Sequence, residues 1–239
     1  MYQQGPTNKV HPQAPFVHTD AGRISCLLVP AAIVFLICVL VSDAYPGPQP
    51  AQYKEYEVKA AFIYNFLKFV DWPEEKMASS GNQITLGIIG EDPFGPAANI
   101  FKDKKVENRQ LVIKRFEGIE QLRKTTEKDK TTSEELEALK GCHLLFICPS
   151  EQKQVRQIID TVGKNSVLTV GDTSEFIESG GAISFFMEDN KIRFNINLTA
   201  AEKAGLKIRS QLLRLAKTVL KDEHASTSDN EASSSQENN

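Results

Sequence analysis

The chain has 239 residues, with 28 Lys and Arg against 31 Asp and Glu, and a formal net charge of −3 at pH 7. This length allows one large domain or two small ones. The charge balance gives no electrostatic case for nucleic-acid binding, which needs a dense basic patch.

The N-terminal region is predicted to direct export. An uncharged, mostly apolar stretch runs from Ile24 to Val41, and small residues then precede Tyr45 at the positions that signal peptidase reads. Residues 1–44 are therefore interpreted as a signal peptide that is cleaved after Ala44. An uncleaved inner-membrane anchor is the alternative, since about 20 apolar residues span a bilayer. Residues 45–54 are rich in proline and are predicted to form a linker.

The middle of the chain alternates helical and strand patterns. A largely apolar helix is predicted over 55–71 and ends at Trp72-Pro73, because proline disfavours a helical residue before it. Apolar strands are predicted at 84–89, 111–116, 142–147 and 166–170, with helices between them, at about 93–102, 117–139 and 150–162. Continuous apolar strands separated by helices indicate a mostly parallel sheet that is covered on both faces.

The C-terminal region has a different pattern. Residues 182–198 alternate in polarity on both sides of Asp189-Asn190, which predicts an antiparallel hairpin. An amphipathic helix is predicted from Thr199 to Val219, with Thr199 and Glu202 as a capping box. The expected fold class is α/β: a three-layer sandwich with a mostly parallel sheet, this hairpin and this C-terminal helix. The domain is placed at 55–220.

The last residues, 221–239, are predicted to form a disordered acidic tail. They contain one lysine and five acidic residues among many Ser and Asn, and no apolar residue larger than alanine. Such a segment cannot bury enough apolar surface to fold.

Two cysteines remain after the leader is removed, Cys142 and Cys148. They flank an apolar run of strand length, and six extended residues cover roughly 20 Å, whereas a disulfide needs Cα atoms within roughly 7 Å. Two cysteines in one straight strand therefore cannot pair. A strand that ends early and folds back at Pro149 would allow the bond, so the Cys142–Cys148 disulfide stays open as a candidate.

Polar residues follow several strands, where an active site of a parallel sheet would lie. Glu91 and Asp92 could bind a metal, but Asp92 and Asp172 are better interpreted as helix N-caps, the latter with Glu175 three residues later. His143 lies at the opposite end of its strand from Ser150. No motif for a metal, cofactor or nucleophile is present, so neither an enzyme nor a cofactor is predicted.

Three polar residues alternate along the second hairpin strand: Arg193, Asn195 and Asn197. They fit a solvated face or a strand edge that is protected against unwanted pairing. They equally fit a surface for a protein partner. We take them as the candidate partner-binding residues.

Several segments in order carry a family resemblance. They are the segments 57–73 (EVKAAFIYNFLKFVDWP), 87–90 (GIIG), 142–147 (CHLLFI), 166–172 (SVLTVGD) and the C-terminal run that begins at Gly180 (GGAISFFMEDNKIRFNINLTAAEKAGLKI). Together they span nearly all of residues 55–219. The chain resembles the YfiR-like family of bacterial periplasmic regulators, although members that use disulfides carry more cysteines.

The resemblance implies a compact α/β sandwich in the periplasm that binds the periplasmic part of an inner-membrane diguanylate cyclase and holds it inactive. It further implies that an outer-membrane lipoprotein can remove the repressor, which raises cyclic di-GMP and promotes biofilm formation. Related domains occur beside sensor kinases, so the partner could be a kinase. A homodimer is also left open.

Two other functions compete with this one. The first is a periplasmic small-molecule binding module that feeds a sensor kinase, with its pocket near Gly90–Pro93, Pro149–Glu151 and Asp172. The second is a hydrolase with an unfamiliar site that uses Glu91, Asp92, Ser150 or Asp172. Ligand binding could also be the input of a regulator, so the leading reading and the first alternative are compatible.

Overall fold

The computed structural model describes residues 50–126 and 130–221. The predicted signal peptide, most of the linker and nearly all of the acidic tail lie outside these residues. Within them, no helix has the length and apolar content needed to cross a membrane.

The described residues contain ten strands, most of them short. In chain order they are β1 (Val70–Asp71), β2 (Gln83–Ile89), β3 (Lys105–Val106), β4 (Arg109–Phe116), β5 (Leu144–Ile147), β6 (Leu168–Gly171), β7 (Ile183–Glu188), β8 (Lys191–Asn197), β9 (Lys207–Ile208) and β10 (Thr218–Leu220). Seven α-helices accompany them: α1 (Pro50–Phe69), α2 (Glu74–Ser79), α3 (Ile119–Thr126), α4 (Lys130–Lys140), α5 (Val155–Val162), α6 (Leu198–Lys203) and α7 (Ser210–Leu213). Short 3₁₀ helices span Gly95–Phe101 and Pro149–Gln154.

Eight strands form the main sheet in the order β10-β8-β7-β6-β5-β2-β4-β3. Neighbouring strands from β4 to β7 pair in parallel, as do β8 and β10, whereas the β7–β8 and β3–β4 pairs are antiparallel. The mostly parallel sheet is therefore confirmed. The apolar runs in the sequence correctly predict four of its strands, β2, β4, β5 and β6.

Helices cover the sheet on both faces, which confirms the three-layer sandwich. On one face, a hydrophobic cluster joins α1 and the first 3₁₀ helix to the sheet, with Phe66, Phe94 and Phe146 fully buried. On the other face, a second cluster joins α3, α4 and α5 to β5 and its neighbours, with Ile158 fully buried. Parallel strands with both faces covered must be apolar on both sides, which explains the burial of every residue of β5 and β6.

The hairpin forms as predicted. β7 pairs with β8 from Ile183–Ile196 to Glu188–Lys191, and Asp189 and Asn190 make the turn with positive φ angles of 48° and 59°. Two-residue turns of this kind need φ above zero at both positions, and Asp and Asn accept that conformation more readily than most residues. The two residues thus determine the hairpin register.

The prediction of a continuous C-terminal helix is wrong. α6 ends after Lys203, Gly205 has φ of +74°, and the chain continues through β9, α7 and β10. The amide of Leu206 donates to the carbonyl of Ala201, and that of Gly205 donates to Glu202, which is a Schellman helix end that favours glycine. The N-cap is Asn197, whose side chain accepts from the Ala200 amide at 2.9 Å, rather than Thr199.

Smaller differences occur at helix boundaries. α1 begins at Pro50, so the last residues of the predicted linker are helical. Of the polar helix expected over 117–139, the structure describes α3 and α4, and residues 127–129 lie outside the described residues. No helix follows Asp172; residues 174–180 form turns, and Glu175 has φ of 64°. The N-cap interpretation of Asp172 is therefore wrong.

Candidate functional site

The three candidate partner-binding residues lie on one face of β8. The Arg193 side chain is 47% exposed, and Asn195 and Asn197 are partly buried, while the alternate residues Phe194 and Ile196 are buried. Because side chains of a strand point to opposite faces in turn, Phe194 and Ile196 anchor β8 to the core and leave the polar row on the other side.

Neighbouring strands extend this polar row into a surface. Ser184 and Phe186 on β7 are opposite Asn195 and Arg193, and Thr218 and Leu220 on β10 are opposite Asn195 and Asn197. We call the surface formed by these seven residues the C-terminal strand face. The hydrophobic cluster beneath α3, α4 and α5 contains no residue of β7, β8 or β10, so among the described residues those helices pack on the other half of the sheet.

Each of the three residues has different contacts. Arg193 makes a long ion pair with Glu188 (Nε to Oε2, 3.8 Å), which also pairs with Lys217 at 3.0 Å. Asn197 caps α6. Asn195 has a buried Oδ1 atom without a hydrogen-bond partner. Arg193 is therefore the residue most available to a partner, and the assignment of all three to partner binding stays a prediction.

Exposed apolar side chains surround the same region. Among the described residues, the large hydrophobic side chains that are exposed are Val58, Met187, Leu215, Val219 and Leu220. All except Val58 belong to β7, to β10 or to the segment just before β10, which is the terminal strand of the sheet order. Exposed apolar residues next to an unpaired strand edge are a common feature of protein-binding surfaces.

A buried charged cluster that the sequence analysis missed lies where α1 meets the end of β6. Lys59 is 4% exposed and contacts Asp172 at 2.6 Å and Glu55 at 2.5 Å. The Tyr56 hydroxyl donates to the same Asp172 oxygen, Oδ2, at 2.8 Å. Burial raises the pKa of Tyr56 strongly, and the Asp172 carboxylate adds to the effect, so this hydroxyl stays protonated and acts as a donor.

One signal for this cluster was present in the sequence. Lys59 lies between the buried residues Tyr56 and Ala60 of an apolar helix, and Glu55 is four residues before it. A lysine on the buried face of a helix needs a carboxylate nearby, because an unpaired buried charge is costly. The partner itself, Asp172, could not be identified without the tertiary structure.

The two cysteines do not form the candidate disulfide. Both are free and buried, with Cys142 in the cluster beneath α3–α5 and Cys148 in the cluster beneath α1. They lie beyond opposite ends of β5 and on opposite sides of the sheet, so no local bend at Pro149 brings them together. Burial raises the pKa of Cys142 to about 12, and burial together with Asp92 and Asp172 raises that of Cys148 further, so neither is a ready thiolate nucleophile.

The other candidate catalytic residues have structural contacts. Asp92 accepts from the Phe94 amide at 2.8 Å and pairs with Arg115 at 2.7 Å, so it stabilises the turn before the first 3₁₀ helix. The prediction that it is the N-cap of that helix is wrong, because the helix begins at Gly95 and Phe94 is at the N-cap position. The Ser150 hydroxyl accepts from the Glu91 amide, and the Glu151 carboxylate accepts from the Ile119 amide. The described residues contain no group of three or more His, Cys, Asp and Glu side chains arranged to hold a metal.

His143 is a buried structural residue. Its Nδ1 accepts from the Thr85 amide at 3.0 Å, and its Nε2 lies 3.1 Å from the Ser80 hydroxyl. Burial, together with the positive charges of Lys76 and Arg109, lowers the pKa of His143 to about 4. The ring is therefore neutral at pH 7, with its proton on Nε2.

The fold and its polar contacts define an α/β domain whose buried charged groups hold helices to the sheet, and whose C-terminal strand face exposes Arg193, Thr218 and Leu220. The family model DUF4154, described as YfiR/HmsC-like, matches residues 56–217, and the chain belongs to that family. The family is regulatory rather than catalytic, and its members act on membrane signalling proteins. A comparison with curated proteins found no match.

Two solved structures are similar at low identity. One is a conserved domain protein from Vibrio cholerae O1 biovar El Tor, with 12% identity, a TM-score of 0.46 and coverage of 69% of this chain and 60% of that chain. The other is an ABC domain in complex with L-Trp from Streptococcus pneumoniae, with 11% identity, a TM-score of 0.42 and coverage of 58% and 56%. The chain thus spans less than two thirds of each of these proteins.

Proposed function

We propose that this protein is a non-enzymatic periplasmic regulator that binds the periplasmic part of an inner-membrane diguanylate cyclase and represses it. Repression lowers cyclic di-GMP and biofilm formation, and an outer-membrane lipoprotein relieves it by removing the repressor. Membership of the YfiR/HmsC-like family supports the regulatory role. The structural contacts of Asp92, Ser150 and His143 support a function without catalysis.

The C-terminal strand face is the surface that we assign to the partner. The observation that carries this assignment is the combination of an exposed arginine, Arg193, with the exposed apolar residue Leu220 on the same face at the edge of the sheet. Arginine surrounded by apolar contact area is enriched among residues that dominate binding energy.

The test is a pull-down from crosslinked membranes with a tagged protein that carries its own leader. We expect to recover an inner-membrane cyclase with the wild type, and about tenfold less with Arg193→Glu, because reversing the charge places like charges opposite each other and about 1.4 kcal/mol is tenfold in affinity. Arg156→Glu is the matched control, since Arg156 is a 73% exposed arginine on α5. It should leave recovery unchanged.

Other outcomes would change the proposal in defined ways. Recovery of no membrane protein from a folded, exported sample would exclude stoichiometric repression. Equal recovery with Arg193→Glu would retain the partner and exclude this face. A lower level of cyclic di-GMP after deletion of the gene would show that the protein activates its partner instead of repressing it.

Export is tested on the same cells. The protein should fractionate with the periplasm, and its first residue should be Tyr45 if the leader is cleaved as proposed. An intact N-terminus in the inner membrane would favour the anchored form, and recovery in the cytoplasm would contradict a periplasmic partner.

The second candidate function is a small-molecule binding module that feeds a sensor kinase. The loops at Gly90–Pro93 and Pro149–Glu151 do not support the pocket expected there, because the Ser150 side chain binds the Glu91 amide and fills the space beside Gly90. Asp172, in contrast, lines a cavity together with residues of β7, β8 and β10, and this cavity supports a ligand-binding role.

A further inference from the structure

Three residues that each have a buried polar atom without a partner line one cavity. Among the described residues, the buried side-chain oxygen and nitrogen atoms that make no hydrogen bond are Asp172 Oδ1, Thr173 Oγ1 and Asn195 Oδ1. All three residues line a cavity of about 420 Å³ between the 172–178 segment and strands β7, β8 and β10. A buried polar atom without a partner is costly, and most such atoms in proteins are paired. Three around one cavity indicate that a ligand supplies the missing partners.

The chemistry of these atoms selects hydrogen-bond donors. A carboxylate oxygen and an amide oxygen only accept, and the Thr173 hydroxyl can do either. Lys59 and Tyr56 both contact Oδ2 of Asp172, so the other carboxylate oxygen is left for a further donor. The Asp172 side chain is 4% exposed, and Thr173 is 9% exposed, so both are already removed from water.

The charge of the cavity wall selects a cation. The acidic residues Asp172, Glu175 and Glu178 line it, and no Lys, Arg or His does. The charge of Asp172 is balanced by Lys59 behind it, whereas among the described residues no ion pair balances Glu175 or Glu178. An anionic ligand would face two or three carboxylates at short range, which disfavours it.

Apolar side chains form another part of the wall. Phe186, Met187 and Leu220 line the cavity, with Met187 and Leu220 among the exposed hydrophobic residues. A cavity of a few hundred Å³ that combines apolar walls with polar groups can hold an amphipathic small molecule. Because the three oxygens are shielded from solvent, a ligand reaches them only after a neighbouring side chain moves.

The 172–178 segment is held firmly enough to form one wall of a site. The Phe176 ring lies over Gly171 and Gly181, where any side chain would collide with it. Phe176 is itself 1% exposed. The segment is therefore packed against the sheet rather than lying free over it.

We propose that this cavity binds a small organic cation, an ammonium group attached to an apolar body, with the ammonium donating to Asp172, Thr173 and Asn195. The proposal does not depend on the regulatory function or on its partner. It places a ligand site that overlaps the C-terminal strand face, since Ser184, Phe186, Asn195 and Leu220 belong to both.

The experiment measures binding to the exported protein by isothermal titration calorimetry with three probes of similar size: phenethylammonium, 2-phenylethanol and phenylacetate. We expect phenethylammonium to bind, 2-phenylethanol to bind at least tenfold more weakly, and phenylacetate not to bind. Failure of phenethylammonium to bind at millimolar concentration would overturn the proposal. Equal binding of phenylacetate would overturn it too.

Two threonine variants separate a ligand-binding role from a structural one. Thr173→Val removes an unpaired buried hydroxyl, so we expect an equal or higher melting temperature and at least tenfold weaker binding of phenethylammonium. Thr169→Val is the matched control, because Thr169 is equally buried but its hydroxyl accepts from the Ala182 amide at 3.1 Å. It should lower the melting temperature by several degrees without changing affinity. Unchanged affinity in Thr173→Val would overturn the proposal.

A third variant keeps this proposal apart from the proposed function. Arg193→Glu should bind phenethylammonium at least as tightly as the wild type, because Arg193 does not line the cavity. Loss of the membrane partner in that variant, with amine binding retained, would show that the two sites fail independently.

Discussion

At the residue scale, His143 shows how burial decides the chemistry of a side chain. Its position between Cys142 and an apolar run is compatible with a core residue or with a general base. The structure makes it an acceptor for the Thr85 amide and a neighbour of Ser80, and the Trp72 indole donates to its backbone carbonyl at 3.0 Å. It therefore joins three segments of the chain and takes part in no catalytic arrangement.

The lowered pKa of His143 predicts a loss of stability in acid. The unfolded side chain has a pKa of 6.5 and the folded one about 4, so the unfolded state binds the proton first as pH falls. The stabilisation is complete above pH 6.5, is lost progressively down to about pH 4, and amounts to about 3 kcal/mol at most.

The measurement is urea unfolding at several pH values, for the wild type and for His143→Gln, whose amide oxygen can replace Nδ1 without titrating. Carboxylates contribute to acid unfolding in both proteins, so the difference between the two curves is the informative quantity. The wild type should lose more stability than the variant between pH 6.5 and pH 4. Parallel curves would show that His143 does not contribute to the loss of stability in acid.

At the element scale, the buried cluster of Lys59, Asp172 and Tyr56 joins α1 to the end of β6. Burying charged side chains costs free energy, and a buried charge that loses its partner destabilises the fold strongly. The apolar contacts of α1, such as Phe66 with Phe185 and Phe194, supply affinity for the sheet. The charged cluster fixes the position of α1 along the sheet.

Removing one partner of this cluster should therefore cost more than removing both. Lys59→Met leaves the Asp172 carboxylate buried without a cation, and should lower the free energy of unfolding by about 3–5 kcal/mol. The double variant Lys59→Met, Asp172→Leu should recover much of that loss, since no buried charge remains. Denaturant midpoints at constant m-value measure both effects.

The control for this cycle is an exposed pair. Lys124 is 78% exposed and lies 3.6 Å from Glu120 on α3, so Lys124→Met should change stability by less than about 0.5 kcal/mol. If Lys59→Met were equally mild, the buried pair would contribute nothing to the docking of α1.

At the scale of the whole molecule, the sheet separates two hydrophobic clusters, and the two cysteines lie on opposite sides of it. Both thiols are fully buried, so a thiol reagent reaches them only when the domain opens. Their raised pKa values keep them protonated at neutral pH, which removes the reactive thiolate as well.

We therefore expect Cys142 and Cys148 to react with a thiol reagent only upon unfolding. A protein with Cys26→Ser and Cys38→Ser contains just these two cysteines. Its modification by a chromogenic disulfide should be slow in native buffer, reach two thiols per chain in denaturant, and accelerate with destabilising variants such as Lys59→Met. Rapid modification of either thiol in the native state would contradict this burial.

The sequence by itself determined the central strands, the hairpin and the family. Apolar runs such as Leu144–Ile147 must be buried on both faces, and Asp189-Asn190 tolerate the positive φ angles of the turn, so both features depend on local chemistry. The amphipathic spacing after Thr199 was equally regular, but Gly205 ends the helix there and tertiary pairing makes strands of Lys207–Ile208 and Thr218–Leu220.

Only the tertiary structure decided which distant side chains meet. Lys59 and Asp172 are 113 positions apart in the chain, and Asn195 comes to the same cavity as Thr173 through the pairing of β6, β7 and β8. Periodicity reports which face a residue occupies, whereas strand order decides its neighbours on that face. For this reason Arg193, Asn195 and Asn197 could be proposed from alternation alone, while the buried cluster and the cavity with unpaired oxygens could not.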